Sequence, residues 1–330
     1  MSNLNFIDIP DFITCKGKAY ADLRLSYESF GKPLGTAPIV VVNHALTGNS
    51  TVTGSDGWWN DLIGSQKLID TNIYSVVAFN VPGNGYDGSL IDNYLDFIAR
   101  DAARIINEGL KKLEITNVFA VIGGSVGGGI AWEMAVLEPE LIQHLIPIAS
   151  DWKSTDWLIA NCRVQDQILT NSSQPLQDAR MHAMLCYRSQ KSLEAKFGRS
   201  VNEEKNLFNV ETWLLHHGNK LEERFELAAY KLLNNLLRTI DITSGRGSFV
   251  EVVKDIKSDI HMIGINSDIF FTPDQNRQTL QILKEVKENV YYEEIDSIHG
   301  HDAFLIEFKQ LHAILSKIFK PTSEKNYVPH

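Results

Sequence analysis

Three residues in this chain have the types and the chain order for nucleophilic catalysis: a serine among glycines, an aspartate after one strand and a histidine after the next. Gly123-Gly124-Ser125-Val126-Gly127-Gly128 follows the apolar run Val118 to Ile122 and leads into the helical run Ile130 to Leu137. A strand that turns sharply into a helix at a serine needs small neighbours, because the serine backbone is strained and crowded there. The helix then aims its free N–H groups at charge developing on a bound carbonyl. A glycine-rich turn with an incidental serine is the plainer alternative. A serine alone is a weak nucleophile, so a base and an acid to orient it are required. Asp268 follows the apolar run Ile260 to Ile265, and His299 and His301 follow Val290 to Ile295. His301 is the preferred base, since it directly follows the Gly300 turn and precedes the last helix. Taken singly, Asp268 reads as a helix cap and His301 as a surface turn residue. The order Ser, Asp, His on three strand-end loops is what sets them apart. An oxyanion hole needs two donors. The N–H of Val126 is one candidate, and that of Leu46, in the loop after Ile39 to Asn43, is the other.

The elements that must position these groups are legible in outline. AYADLRLSYESFG alternates as a half-buried antiparallel strand does. Pro38 to Asn43 and Tyr74 to Val81 read as strands buried on both faces. Trp58 to Ile69 reads as a short helix, and Asp92 to Leu113 has a helical period. With Leu145 to Ala149 as a further strand, the stretch 39–149 alternates strand and helix, the mark of a parallel sheet covered on both faces. After Ser150 β-branched runs cease. Helices are expected around Asp156–Leu169, Leu176–Arg188, Ser192–Phe197, Val210–His216 and Leu221–Leu237, an all-helical insertion over 151–247. The strand–helix rhythm then resumes, with a helix over Pro273 to Glu288 and an amphipathic last helix over Phe304 to Phe319. One α/β domain, 1–150 with 248–330, thus surrounds the insertion. The polar tail Pro321 to His330 is expected to fray.

Composition excludes several classes. Of 330 residues, 44% are hydrophobic and 22% charged, which suits a globular chain. Thirty-one basic against 41 acidic residues give a formal charge of −10, and no Lys/Arg block is present, so nucleic acid is not an expected partner. No apolar run is long enough to span a membrane, and the start MSNLNFIDIPDF lacks a leader pattern. Cys15, Cys162 and Cys186 are too few and too far apart for a disulfide framework, which favours free thiols in a cytoplasmic protein.

His44-Ala45-Leu46-Thr47-Gly48, Gly57-Trp58-Trp59, Gly123-Gly124-Ser125, Ala179-Arg180, Lys196-Phe197-Gly198-Arg199, Ser267-Asp268 and Gly300-His301-Asp302-Ala303-Phe304-Leu305 together resemble the homoserine O-acyltransferase family of α/β-hydrolase fold enzymes. The resemblance runs from about Tyr27 to Phe308. It implies transfer of an acetyl group from acetyl-CoA to the hydroxyl of L-homoserine, in methionine biosynthesis, through an acyl-Ser125 intermediate. No permanently bound cofactor and no metal is implied. Arg180 would hold the amino-acid carboxylate, Tyr187 would assist it and Asp302 would hold the ammonium. The physics agrees, since a planar guanidinium suits a carboxylate. Arg180 and Tyr187, seven apart on a helix, share a face. The resemblance also implies a homodimer formed through the insertion.

Departures from the family pattern fall at the site's mouth and in the insertion. They are a shortened loop Pro82 to Ser89, Gly129-Ile130 after the elbow, and Trp213-Leu214-Leu215-His216-His217-Gly218. They leave a succinyl donor and an L-serine acceptor open. A simple ester hydrolase would use the same acyl-enzyme but has no need of the Arg180, Tyr187 and Asp302 trio. A non-catalytic binder predicts a broken triad, which this sequence does not have. A metal enzyme built on His299, His301, His216, His217 and Asp302 lacks a third ligand at motif spacing. His44 reads as a loop-packing residue, and Cys162 and Cys186 as small fillers.

Overall fold

The computed structural model describes residues 4–319, so the polar tail lies outside the described residues. Its centre is an eight-stranded sheet. The strands are β1 (Asn5–Ile13), β2 (Ala19–Gly31), β3 (Ile39–Asn43), β4 (Ser75–Phe79), β5 (Val118–Gly124), β6 (Ile142–Ile148), β7 (Asp259–Ile265) and β8 (Val290–Ile295). They lie in the order β1-β2-β4-β3-β5-β6-β7-β8. The first two pair antiparallel, Ile7 opposite Leu25, and β2 meets β4 antiparallel. All the later pairings are parallel. Every residue of β3 and β4 is buried, as strands covered on both faces require.

Two apolar layers cover the sheet. On one face lie α1 (Ala99–Lys112) and α2 (Val126–Leu137), with Ile105, Ile106, Leu110, Ile130 and Trp132 fully or almost fully buried. On the other lie α10 (Phe308–Leu315) and the loop around Trp59, Leu62 and Ile63. Between β6 and β7 the chain leaves the sheet and makes α3 (Asp156–Asn171), α4 (Pro175–Tyr187), α5 (Gln190–Phe197), α6 (Asn209–Glu222) and α7 (Leu227–Arg238), then the short α8 (Phe249–Val253) and, after β7, α9 (Pro273–Val286). The neck of this insertion is clasped. Ser154 N–H donates to Ile240 O at 2.9 Å and Ile242 N–H to Trp152 O at 3.2 Å.

The structure differs from the sequence expectations at four places. Trp58 to Ile69 is not a helix. Trp58 and Trp59 instead donate their N–H groups back to Thr51 and Val52, and Ile63 pairs with Ile69 in a two-residue ribbon. The apolar side chains there bury because the segment doubles back, not because it winds. Next, α1 begins at Ala99, after a 3-10 turn over Tyr94–Asp96. Asn235 of α7 takes the carbonyls of Tyr94 and Phe97, which a helix would have used, and Asp101 caps the new start through Ile98 N–H at 3.0 Å. The insertion is not purely helical, since Val201–Asn202 pairs with Leu207–Phe208. The break between α6 and α7 also falls later than expected, at 223–226 inside the expected helix Leu221–Leu237, because α6 continues through Glu222. Finally, Phe304–Phe319 divides into a 3-10 turn, Gly300–Leu305, and α10.

Candidate active site

Ser125 stands at the turn from β5 to α2 with φ 57° and ψ −126°, a conformation a non-glycine residue seldom takes. Its neighbours must be small. A Cβ on Gly124 would lie 2.4 Å from the ring of Phe304, which is itself buried behind Trp59. The Ser125 N–H donates to Ile148 O of β6 at 2.9 Å, so the next strand pins the elbow. No N–H of Leu46 or Val126 donates to an acceptor among the described residues. Both donors are therefore free for an oxyanion. His44 fixes the loop that carries Leu46. Its Nδ1–H donates to Ala45 O at 2.8 Å and its Nε2 accepts from Val81 N–H at 3.0 Å. Burial lowers its pKa to about 4, so it stays neutral and structural.

Asp268 and His301 meet beside this elbow. His301 Nδ1 lies 2.7 Å from Asp268 Oδ2, and both side chains are buried. The other carboxylate oxygen accepts from the N–H groups of Phe270 and Phe271 at 2.7 and 3.0 Å. Asp268 thus accepts on both oxygens and fixes the imidazole tautomer, leaving Nε2 the lone pair. That Nε2 is buried and has no hydrogen-bond partner among the described residues. An orphaned basic nitrogen is what a general base looks like before the nucleophile's proton turns toward it. Rings of Phe270, Phe271, Tyr187 and Phe304 wall the imidazole in.

His299 is elsewhere. Its Nδ1 accepts from Arg188 Nη2 at 3.0 Å and lies 3.1 Å from Ser192 Oγ. This separates it from the triad and from any metal set with His301. Ser267, next to Asp268, ties the two loops together: its hydroxyl bonds Ser297 O and accepts from Gly300 N–H at 3.0 Å. Gly300, with φ 67°, is where the chain reverses against the end of α4. A Cβ there would lie 2.8 Å from Tyr187 O. Ser189 Oγ donates to Ile298 O across the same contact. The insertion therefore rests directly on the loop carrying His301.

The insertion brings the charged trio to this contact. The guanidinium of Arg180 lies 5.8 Å from the Tyr187 ring, and the ring lies 5.5 Å from His301. Arg180 forms no ion pair among the described residues. Asp302 sits in the 3-10 turn after His301, with Arg188 Nη1 at 3.9 Å. Burial raises its carboxyl pKa, and Arg180, then His301 and Arg188, oppose the rise. Burial also pushes the Tyr187 hydroxyl well above the phenol range. A cation from the insertion, one aromatic ring away from His301, and a carboxylate from the core, next to His301 in the chain, thus belong to one neighbourhood.

A family model described as the alpha/beta hydrolase fold matches residues 38–307. The homoserine O-acetyltransferase of Carboxydothermus hydrogenoformans is 30% identical over 95% of this chain and 94% of its own length. That of Symbiobacterium thermophilum is 34% identical over 88% and 87%. The chain belongs to the homoserine O-acetyltransferase family of the alpha/beta hydrolase fold. It is accordingly an enzyme of the acyltransferase type. The crystal structure of homoserine O-acetyltransferase from Staphylococcus aureus matches with a TM-score of 0.82 at 27% identity, over 99% of this chain and 98% of that one. The crystal structure of esterase E22 matches with a TM-score of 0.85 at 18% identity, over 97% and 100%, a likeness of fold alone.

Within this acyltransferase, sequence reasoning missed several residues near the trio. Tyr230 of α7 is buried, with its hydroxyl pKa pushed up to about 12 by desolvation. With Leu46, Tyr187 and Phe270 it lines a cavity of about 10 Å³, room for one water. Arg224 donates to Thr47 O at 3.0 Å and so bridges the insertion to the oxyanion loop. His217 lies beside Trp213, and its pKa is lowered to about 4, first by burial and then by Arg180. Tyr230 carries no sequence signal because it is one residue of an amphipathic helix, and Arg224 because it is one residue of the turn after α6. His217 stood out in the sequence only as part of an unusual segment and as a possible ligand. The shortened loop Pro82 to Ser89 is anchored through Asn84, whose side chain reaches Asn80 Oδ1 at 3.1 Å and His44 Nε2 at 3.3 Å. Gly129 packs beneath Ile240 at the neck.

Proposed function

We propose that this enzyme moves an acetyl group from acetyl-CoA to the hydroxyl of L-homoserine by a ping-pong route through acyl-Ser125. The observation that carries this reading is an Arg180 guanidinium with no ion pair among the described residues, placed 5.8 Å from the Tyr187 ring that itself lies 5.5 Å from His301, with Asp302 next to His301 in the chain. A zwitterionic amino acid satisfies both. An uncharged ester leaves Arg180 without a counter-charge, and an unpaired charge inside a site is costly.

The proposed route has two half-reactions. His301 Nε2 takes the Ser125 proton as Oγ attacks the thioester carbonyl. The N–H groups of Leu46 and Val126 donate to the resulting oxyanion. The tetrahedral species collapses, the C–S bond breaks, and His301 gives its proton to the departing sulfur, which leaves as the free thiol and returns the imidazole to its neutral form. Homoserine then binds, with its carboxylate on Arg180 supported by Tyr187 and its ammonium on Asp302. His301 takes the proton of its hydroxyl, the oxygen attacks the acyl carbon, and the proton returns to Ser125 as O-acetylhomoserine leaves. Asp268 stabilises the imidazolium in both halves. The aromatic wall around His301 disfavours water as the competing acceptor.

Acetyl-CoA acts here as co-substrate, and no cofactor is held between turnovers. A second copy of the chain is proposed to cover the exposed apolar residues Ile159, Val164, Leu185 and Leu215 of the insertion. Cytoplasmic residence accords with three unpaired thiols. The deciding experiment is a matrix of acetyl- and succinyl-CoA against homoserine, serine and water, read by thiol release. Rapid turnover only with acetyl-CoA and homoserine is expected. Equal turnover with water makes the enzyme a hydrolase, and preference for succinyl-CoA or serine replaces the donor or the acceptor.

A further inference from the structure

A second cluster of chemically able side chains lies at the other end of the sheet. His144 is near the start of β6, and Asp259 and His261 open β7. The strands pair in register with Asp259 opposite His144, so the three side chains project from one face. Ser125 and Asp268 follow the far ends of β5 and β7, so this cluster stands a strand's length from the catalytic edge. No sequence motif announces it, because His144 and His261 are brought together only by strand pairing.

The geometry is that of a ligand set. His144 Nδ1 lies 3.2 Å from His261 Nε2 and 3.5 Å from Asp259 Oδ2. One oxygen and two nitrogens all fall within 4.8 Å of one another. Donors on a tetrahedral ion with bonds of about 2.0–2.1 Å stand roughly 3.3 Å apart. Without an ion, the proton on His144 Nδ1 has two acceptors to serve, the facing imidazole and the carboxylate. An ion would engage all three lone pairs at once. The rings are held in place: Phe119 meets His144 edge-on at 5.0 Å, and Tyr291 stacks on His261 at 4.8 Å. The Lys287 ammonium, a neighbouring cation, donates to Ile256 O.

We propose that His144, Asp259 and His261 bind one divalent ion of the zinc class, with the remaining position open to water. Two imidazoles and one carboxylate suit zinc, cobalt or nickel far better than magnesium or calcium. The ion would clamp β7 to β6 at the end opposite the Asp268 loop, and no step at Ser125 passes through it.

The test uses the full-length protein stripped with a chelator and titrated with zinc by calorimetry, and with cobalt by visible absorption. One equivalent is expected to bind, with the cobalt bands of a tetrahedral site and a thermal midpoint that rises with zinc concentration. His144→Gln with His261→Gln should remove the cobalt bands and weaken zinc at least about tenfold. Asp259→Asn, at a partly exposed strand start, serves as a second variant should the double one not fold, and should weaken zinc as well. Magnesium should not compete. Absence of stoichiometric binding, or binding that these variants leave unchanged, overturns the proposal.

Discussion

The two halves of the site are built by different means. The core half, Ser125 with Asp268 and His301, stands on the ends of buried parallel strands, and every backbone approach around it is close. The half that carries Arg180 and Tyr187 belongs to helices resting on that edge through a few contacts, chiefly at Gly300 and Ser189. Asp268 has three short partners, while Arg180 has no ion pair among the described residues. The difference teaches a division of labour. A satisfied, dry edge is suited to a fixed chemistry. An unsatisfied cation on a separate layer is suited to waiting for a charged substrate.

If that division holds, substitutions in the core should act on kcat in both half-reactions, and those in the insertion on the acceptor's KM alone. His301→Gln should lower kcat by about 10⁴-fold or more, with donor and acceptor affinities little changed. A loss confined to the second half-reaction would show that a different base serves the first. Arg180→Ala should raise the KM for homoserine by about 10- to 100-fold, as loss of a charge-assisted contact does. Thiol release from acetyl-CoA before any acceptor is added should be unaffected, and equal effects on both substrates would dissolve the comparison. Gly124→Ala forces a Cβ into the Phe304 ring and should cost about 1–3 kcal/mol of stability, seen as a lower urea midpoint. A midpoint equal to that of the parent would mean the elbow is looser than its packing implies.

The smallest effect concerns pH. Burial raises the Asp302 carboxyl, and Arg180 is the largest influence holding it down. A cation favours the ionised carboxylate, so Arg180→Gln should raise that pKa further. In the proposed function the ionised form is the one that holds the substrate ammonium. The acid limb of kcat/KM for homoserine should therefore move to higher pH in the variant, and an unmoved or lowered limb would separate Arg180 from Asp302.

The core half was legible in the sequence because its constraints are local and repeated. Buried strands read as β-branched runs, the elbow needs its glycines, and the Ser, Asp, His order follows from strand order. The preference for His301 over His299 rests on the Gly300 turn and on its place directly before the last helix. Arg188 and Ser192, which hold His299 aside, come from the insertion and leave no mark near residue 299. The stretch Trp58 to Ile69 shows the limit most plainly. Its apolar residues bury against Phe304, nearly 250 positions on, and the spacing that results imitates a helix. Likewise Asn235 unwinds the expected start of α1 from across the chain. Tyr230, Arg224 and the His144 cluster were invisible for the same reason: each gains its meaning from a neighbour distant in sequence.

The central claim is that Ser125 carries the acyl group. Rapid mixing with acetyl-CoA alone, quenching in acid and peptide mass analysis test it directly. The account predicts one acetyl group per chain on the peptide containing Ser125, formed with a burst of free thiol, absent in Ser125→Ala and discharged on adding homoserine. Turnover with no such peptide, or an acetylated chain in the Ser125→Ala variant, would contradict it.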